Sequence, residues 1–139
     1  MKNLQITAYM QHFIRQQVMP GDICIDATMG NGNDTALLSQ LAGKRGRVLA
    51  FDIQKQALEH TKERLKRDNC PENYQLLLES HENMDIYAEE ETVSCITFNL
   101  GYLPGGDHSV ATRADSSKRA VESGLTLLKK GGLMTIMDM

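Results

Sequence analysis

One segment constrains this chain more than any other: a short β-branched run ends on an acidic residue and opens straight into paired glycines. It reads Asp22-Ile-Cys-Ile-Asp26, then Thr28-Met-Gly-Asn-Gly-Asn33. A buried strand that stops at a glycine loop and gives way to a helical pattern is the first half of a βαβ unit. Asp34 stands where it can cap the helix, Leu37, Leu38 and Leu41 give that helix an apolar face, and Gly43 ends it. Arg47-Val-Leu-Ala-Phe-Asp52 supplies the second strand.

The alternation continues along the chain. A helix from about Gln54 to Arg67 buries Ala57, Leu58 and Leu65 and stops before Asn69-Cys70-Pro71, because the residue ahead of a proline avoids the helical region. Strands are expected at Tyr74–Leu78, Val93–Phe98 and Leu133–Met137, with a short helix at Met84–Glu90 and a longer one at Ser117–Leu128. Upstream, Ile6, Tyr9, Phe13 and Val18 recur at helical spacing until Pro20-Gly21 punctuates the pattern. Repeated β-α alternation with apolar strands predicts an α/β, Rossmann-like fold, a parallel sheet flanked by helices on both faces. With 139 residues, 41% hydrophobic and 24% charged, there is room for one core, so a single domain over 1–139 is expected.

Composition excludes some functions. No apolar run approaches the roughly 18 residues of a membrane span, and the first residues lack the pattern of a signal peptide, so no membrane partner and a cytoplasmic address are expected. Cys24, Cys70 and Cys95 contain no CxxC and are an odd, widely spaced set, which argues against a disulfide framework and against a metal site. A net charge of -3 provides no overall basic field, so any RNA contact must use local patches.

In a sheet of this kind the ligand lies beyond the carboxyl ends of the strands. The residues there are Asp26, Gly30, Asn31, Gly32, Asn33 and Asp34 after the first strand, Asp52 and Gln54 after the second, His81 and Glu82 after the third, and Asn99 and Tyr102 after the fourth. The glycine pair alone serves NAD, S-adenosylmethionine (SAM) or a plain tight turn. Charge separates the first two, because a dinucleotide brings a pyrophosphate to this helix N-terminus, whereas Asp26 and Asp34 flank the loop and the third glycine of GxGxxG is missing. Carboxylates suit the sulfonium and α-ammonium of SAM. Asp52, 22 residues after Gly30, is placed to accept ribose hydroxyls, a feature that fits NAD equally well and that helix capping would also explain. Asn31 and Asn33 have the alternative of simply tolerating a left-handed turn, and His81 and Glu82 that of a solvated, capped loop. Lys62, Arg64, Lys66 and Arg67 read as the wet side of a helix.

Four segments taken together, Asp26-Ala-Thr-Met-Gly-Asn-Gly-Asn-Asp-Thr35, Phe51-Asp-Ile-Gln54, Ser80-His-Glu82 and Phe98-Asn-Leu-Gly-Tyr-Leu-Pro-Gly-Gly-Asp-His108, resemble the bacterial MnmM/YtqB proteins, long labelled rRNA methylases. The resemblance spans essentially the whole chain. It implies a class I SAM-dependent methyltransferase that methylates the exocyclic amine of 5-aminomethyl-2-thiouridine at the tRNA wobble position, with tRNA engaged at the anticodon region. It also implies that Asn31, Asn33, Asp52, Gln54, His81 and Glu82 line the SAM site. Asn99-Leu-Gly-Tyr102 stands where amino-methyltransferases present an Asn-Pro-Pro-Tyr-like segment, although Leu100 and Gly101 replace the prolines and leave it less stiff. Asn99 can hold the amine, Tyr102 can stack on a base, and Asp107 and His108 are candidates to take up its proton, with a merely polar glycine-held loop as the alternative. Arg113, Lys118 and Arg119 are candidate phosphate contacts. The family continues past the fifth strand into an antiparallel pair; ending at Met139, this chain is expected to lack the last two strands, to expose its fifth strand and to self-associate, as a homodimer or in larger species. Methylation of rRNA or another amine, an NAD-dependent oxidoreductase, and a non-catalytic RNA-binding domain are the competing readings.

Overall fold

In the computed structural model, which describes residues 2–100 and 107–138, the alternation becomes one sheet with helices on both sides. The chain runs α1 (Lys2–Gln17), β1 (Ile23–Asp26), α2 (Asn33–Ala42), β2 (Arg47–Asp52), α3 (Lys55–Arg67), β3 (Tyr74–Leu78), a 3₁₀ turn (His81–Ile86), β4 (Val93–Leu100), α4 (Asp107–Leu127) and β5 (Leu128–Asp138). The strands lie in the order β3-β2-β1-β4-β5 and every pairing is parallel. The order reverses beside β1, whose neighbours are β2 and β4, and that reversal opens a crevice above their carboxyl ends.

Side chains alternate between two cores, as the period-two geometry of a strand demands. Cys24 and Val48 pack with Ile14 of α1, Val18 just after it and Leu37 and Leu38 of α2, whereas Ile25, Leu49, Phe51, Ile96 and Phe98 pack with Met84 of the 3₁₀ turn and Ala120 and Leu127 of α4. Leu65 of α3 joins Ala36 and Cys70 beside α2. Cys24 and Cys95, opposite each other on β1 and β4, are fully buried free thiols, and Cys70 is 9% exposed. Two side-chain amides tie elements together. Gln17, at the end of α1, donates through Nε2 to the carbonyls of Ser94 and Gly131 at 3.1 Å each, and Asn73 donates through Nδ2 to the Ser39 and Gly43 carbonyls at the end of α2.

Four boundaries differ from the sequence reading. The short helix is a 3₁₀ turn that begins at His81, capped by Ser80, whose Oγ accepts from the Glu82 N–H. Strand β4 continues through Asn99 to Leu100, so Asn99 rides on a strand end. Helix α4 begins at Asp107, ten residues early, through a polar stretch without apolar periodicity. Strand β5 begins at Leu128: between the pairs Val93↔Leu128 and Cys95↔Leu133, β4 advances two residues and β5 five. The intervening Lys129-Lys130-Gly131-Gly132 bulges out opposite Ser94, with Gly131 at φ 81°.

Candidate active site

The loop after β1 is built on Asp26. This residue is fully buried, and its carboxylate accepts the Thr28 N–H at 3.1 Å, the Thr35 hydroxyl at 2.6 Å and the Thr97 hydroxyl at 3.2 Å. Burial, and then the neighbouring Asp34, push its carboxyl up to about 7 against the pull of those donors. Asp26 therefore braces the loop from beneath and does not line the cavity above it, which departs from its expected place in cofactor contact.

Above Asp26 the backbone turns through Gly30 (φ 49°) and Gly32 (φ 84°). Gly32 is itself the N-cap of α2, so Asp34 falls in the first turn and does not cap the helix. A Cβ on Gly32 would lie 2.9 Å from the Thr61 Cα, because α3 presses against the loop and Thr61 donates to the Gly30 carbonyl at 3.1 Å. Asp52 closes the turn from the next strand: one oxygen accepts the Gly30 N–H at 3.2 Å and the other the Gln54 N–H at 2.9 Å.

These loops surround a cavity of about 480 Å³, a size that suits a nucleoside-like ligand. Asn31, Asn33, Asp34, Asp52, Gln54, His81 and Asn99 line it, with Gly30. The His81 Nδ1 lies 3.0 Å from the Ala27 carbonyl, which can only accept, so Nδ1 carries the hydrogen and Nε2 the lone pair. Burial holds its pKa below the ordinary range, keeping the ring neutral. Asn99 donates its N–H to Thr28 Oγ1 at 2.6 Å and its side-chain Nδ2 to Asp34 Oδ2 at 3.0 Å.

Glu82 stands apart from the cavity lining. Its two oxygens take Arg119 Nε at 3.2 Å and Nη2 at 3.3 Å, and this fork, with Ser80, clamps the 3₁₀ turn to α4 and holds the Glu82 carboxyl below the usual range. Arg119 is thereby engaged with a carboxylate; Lys118 is exposed. Tyr102 lies outside the described residues, as do the side chains of Asp107, His108 and Arg113, which belong to the first turns of α4. Among the described residues no group of three or more potential ligands could hold a metal ion, and no helix is long and apolar enough to cross a membrane.

Some of the site was absent from the sequence reading. Thr7 and Met10 of α1, Ser117 of α4 and Thr135 of β5 also face the cavity, so the first helix does more than pack. The threonines around Asp26 were missed as well; Thr97 reaches it only because β4 lies beside β1, with Asp26 opposite Thr97 in register.

Comparison with known proteins agrees with this geometry. Residues 48–138 match the family described as "Putative rRNA methylase". A chloroplastic tRNA (mnm(5)s(2)U34)-methyltransferase of Arabidopsis thaliana is 38% identical over 91% of this chain and 50% of its own length. The chain spans about half the length of the curated relatives it matches. Among solved structures, an rRNA methylase of that same description from Clostridium thermocellum superposes with a TM-score of 0.82 at 41% identity, covering 92% of this chain and 68% of the other. A Streptococcus mutans protein titled a "putative methyltransferase", solved in complex with SAH, gives 0.77 at 40% identity over 92% and 70%. The parallel sheet, the braced glycine loop and these likenesses lead to one statement of kinship: the chain has the class I methyltransferase fold and belongs to the rRNA-methylase family.

Proposed function

We propose that the cavity binds SAM and that the chain carries the methyl-transfer centre of an enzyme acting on tRNA, placing the methyl on the exocyclic amine of 5-aminomethyl-2-thiouridine at the wobble position. One observation carries the cofactor half of this reading. Among the described residues no lysine or arginine lines the cavity, whereas the carboxylates of Asp52 and Glu79 do. Such a lining repels a pyrophosphate and favours a cation, which sets SAM ahead of NAD. The fit is chemical as well: Asp52, Asn31, Asn33, Gln54 and the Nε2 of His81 offer the acceptors and amides that a ribose, an adenine and an amino acid require. When bound, SAM supplies a methyl group on a positively charged sulfur that departs as a neutral thioether.

The protein's own contribution is positional. Asn99 stands at the cavity mouth to orient the amine, and Tyr102, with its aromatic ring, is the residue proposed to stack on the base. An alkylamine is mostly protonated at neutral pH, so a group must take its proton before attack; Asp107 and His108 are proposed for that role. The tRNA half rests on the name of the Arabidopsis relative and on the motifs shared with the family. A cytoplasmic location and engagement of the anticodon region belong to the same proposal.

The test is calorimetric titration of SAM and, separately, NADH. Micromolar SAM binding, no NADH binding, and loss of at least about tenfold in SAM affinity in Asp52→Ala are expected, the size following from removal of charge-assisted bonds. NADH binding in preference to SAM would overturn the reading. The substrate half is tested by nucleoside mass spectrometry of tRNA bearing the aminomethyl group after incubation with SAM, where a 5-methylaminomethyl product is expected.

A further inference from the structure

Asn99 is the penultimate residue of β4, and both of its nitrogen atoms are committed. The backbone N–H goes to Thr28 Oγ1, and the side-chain Nδ2 to Asp34 Oδ2. An amide can be turned either way about its last torsion, but a carboxylate only accepts. Facing Asp34, the Asn99 amide must present nitrogen, which leaves Oδ1 on its other side, and no described residue donates to that oxygen. Asn99 is exposed and lines the cavity, so among the described residues Oδ1 is left to meet a ligand.

Asp34 is well placed to impose this choice. It is fixed in the first turn of α2 and is half-buried. Two elements thus meet at one carboxylate: α2 through Asp34 itself and β4 through Asn99.

We propose that Asp34 is a positioning residue that locks the Asn99 amide with Oδ1 facing the substrate, so that the incoming amine meets an acceptor and not a donor. This rests on the amine-transfer reading above. The difference decides reactivity, because Oδ1 accepts an N–H of the amine and leaves the nitrogen lone pair free, whereas a reversed amide would donate Nδ2–H into that lone pair and occupy it. The sequence alone separates Asp34 from Asn99 by 65 residues, and only the parallel pairing of β1 with β4 brings them together.

The experiment has two arms on the whole chain. In the first, the side-chain NH₂ signals of Asn99, identified by their loss in Asn99→Ala, are followed by ¹⁵N NMR in the wild type, Asp34→Asn and Asp34→Ala. A shifted pair in the wild type that moves to the free-amide position in Asp34→Ala is expected; the same position in both proteins would overturn the lock. Should Asp34→Ala fail to fold, the isosteric Asp34→Asn makes the same comparison, since its amide no longer dictates orientation and two sets of Asn99 signals are expected. In the second arm, Asp34→Ala should lower kcat about tenfold with the SAM Kd within about twofold, and the Asp34→Ala, Asn99→Ala double variant should be no slower than Asn99→Ala alone. Cofactor affinity falling in step with turnover, or losses that multiply in the double variant, would overturn the proposal. A wild-type chain that transfers no methyl to tRNA defeats the functional reading, while the NMR arm still decides the amide.

Discussion

A buried carboxylate with three hydrogen-bond donors and a second carboxylate nearby makes Asp26 the most heavily constrained residue of the loop. Its carboxyl, pushed up to about 7, ties stability to pH. In the unfolded chain it ionises near 3.9, so between about 4 and 7 the native state holds a proton that the unfolded state has released. Stability from this group is therefore fully present below about pH 4 and is lost as pH rises through about 7. His81, with its pKa held down, acts in the opposite direction: its contribution is lost as pH falls from the ordinary histidine range toward the lowered value. The two are separated by Asp26→Asn, which mimics the protonated form. In urea denaturation at pH 5, 6.5 and 8, the wild type should lose stability relative to Asp26→Asn as pH rises, by about 3 kcal/mol across this window, since only the roughly two pH units between 5 and about 7 contribute. A constant difference between the two proteins would mean that Asp26 keeps an ordinary carboxyl.

At the scale of elements, the loop and α3 are welded at a glycine. Gly32→Ala would set a side chain at φ 84° and drive its Cβ to 2.9 Å from the Thr61 backbone, so neither partner can yield cheaply. Gly124→Ala, in α4, meets the Met134 Cε at 2.7 Å, but that atom is the end of a flexible side chain. Thermal unfolding should rank the first as the more damaging, by about 2 kcal/mol or more, combining left-handed strain with overpacking. Equal losses would place the close approach elsewhere. The strands were legible because β-branched runs ended at glycine or acidic residues, and the cavity-lining carboxylate Asp52 was legible because it ends one of them. The start of α4 was hidden by the polar run His108–Ser116, and the start of β5 by Lys129-Lys130-Gly131-Gly132, where composition imitates a turn. Within the site, the Glu82–Arg119 fork and the Thr97–Asp26 bond join residues 37 and 71 positions apart, and no local pattern encodes such pairings. The docking of α1 over the cavity, through Thr7 and Met10, was illegible for the same reason.

At the scale of the whole molecule, the sheet formed by the described residues has two edges, β3 and β5. Strand β5 is the longer, and although Lys129 and Lys130 guard its beginning, Ile136 near its end is 44% exposed. Unpaired edge groups beside exposed apolar side chains invite pairing between chains. Sedimentation at increasing concentration should reveal self-association that Ile136→Lys reduces; a monomer at every concentration would show that this edge is already protected. The centre of the sheet has the opposite character. Cys24 and Cys95 face each other there, fully buried, and burial pushes the Cys95 thiol up to about 12 and that of Cys24 higher still, whereas Cys70 lies at the margin beside α3. Thiolate is the form that alkylating reagents attack, so the three sulfurs form a graded timer for the opening of the native state. Pulse alkylation followed by peptide mass spectrometry should mark Cys70 first, while Cys24 and Cys95 stay unmarked until β1 and β4 part.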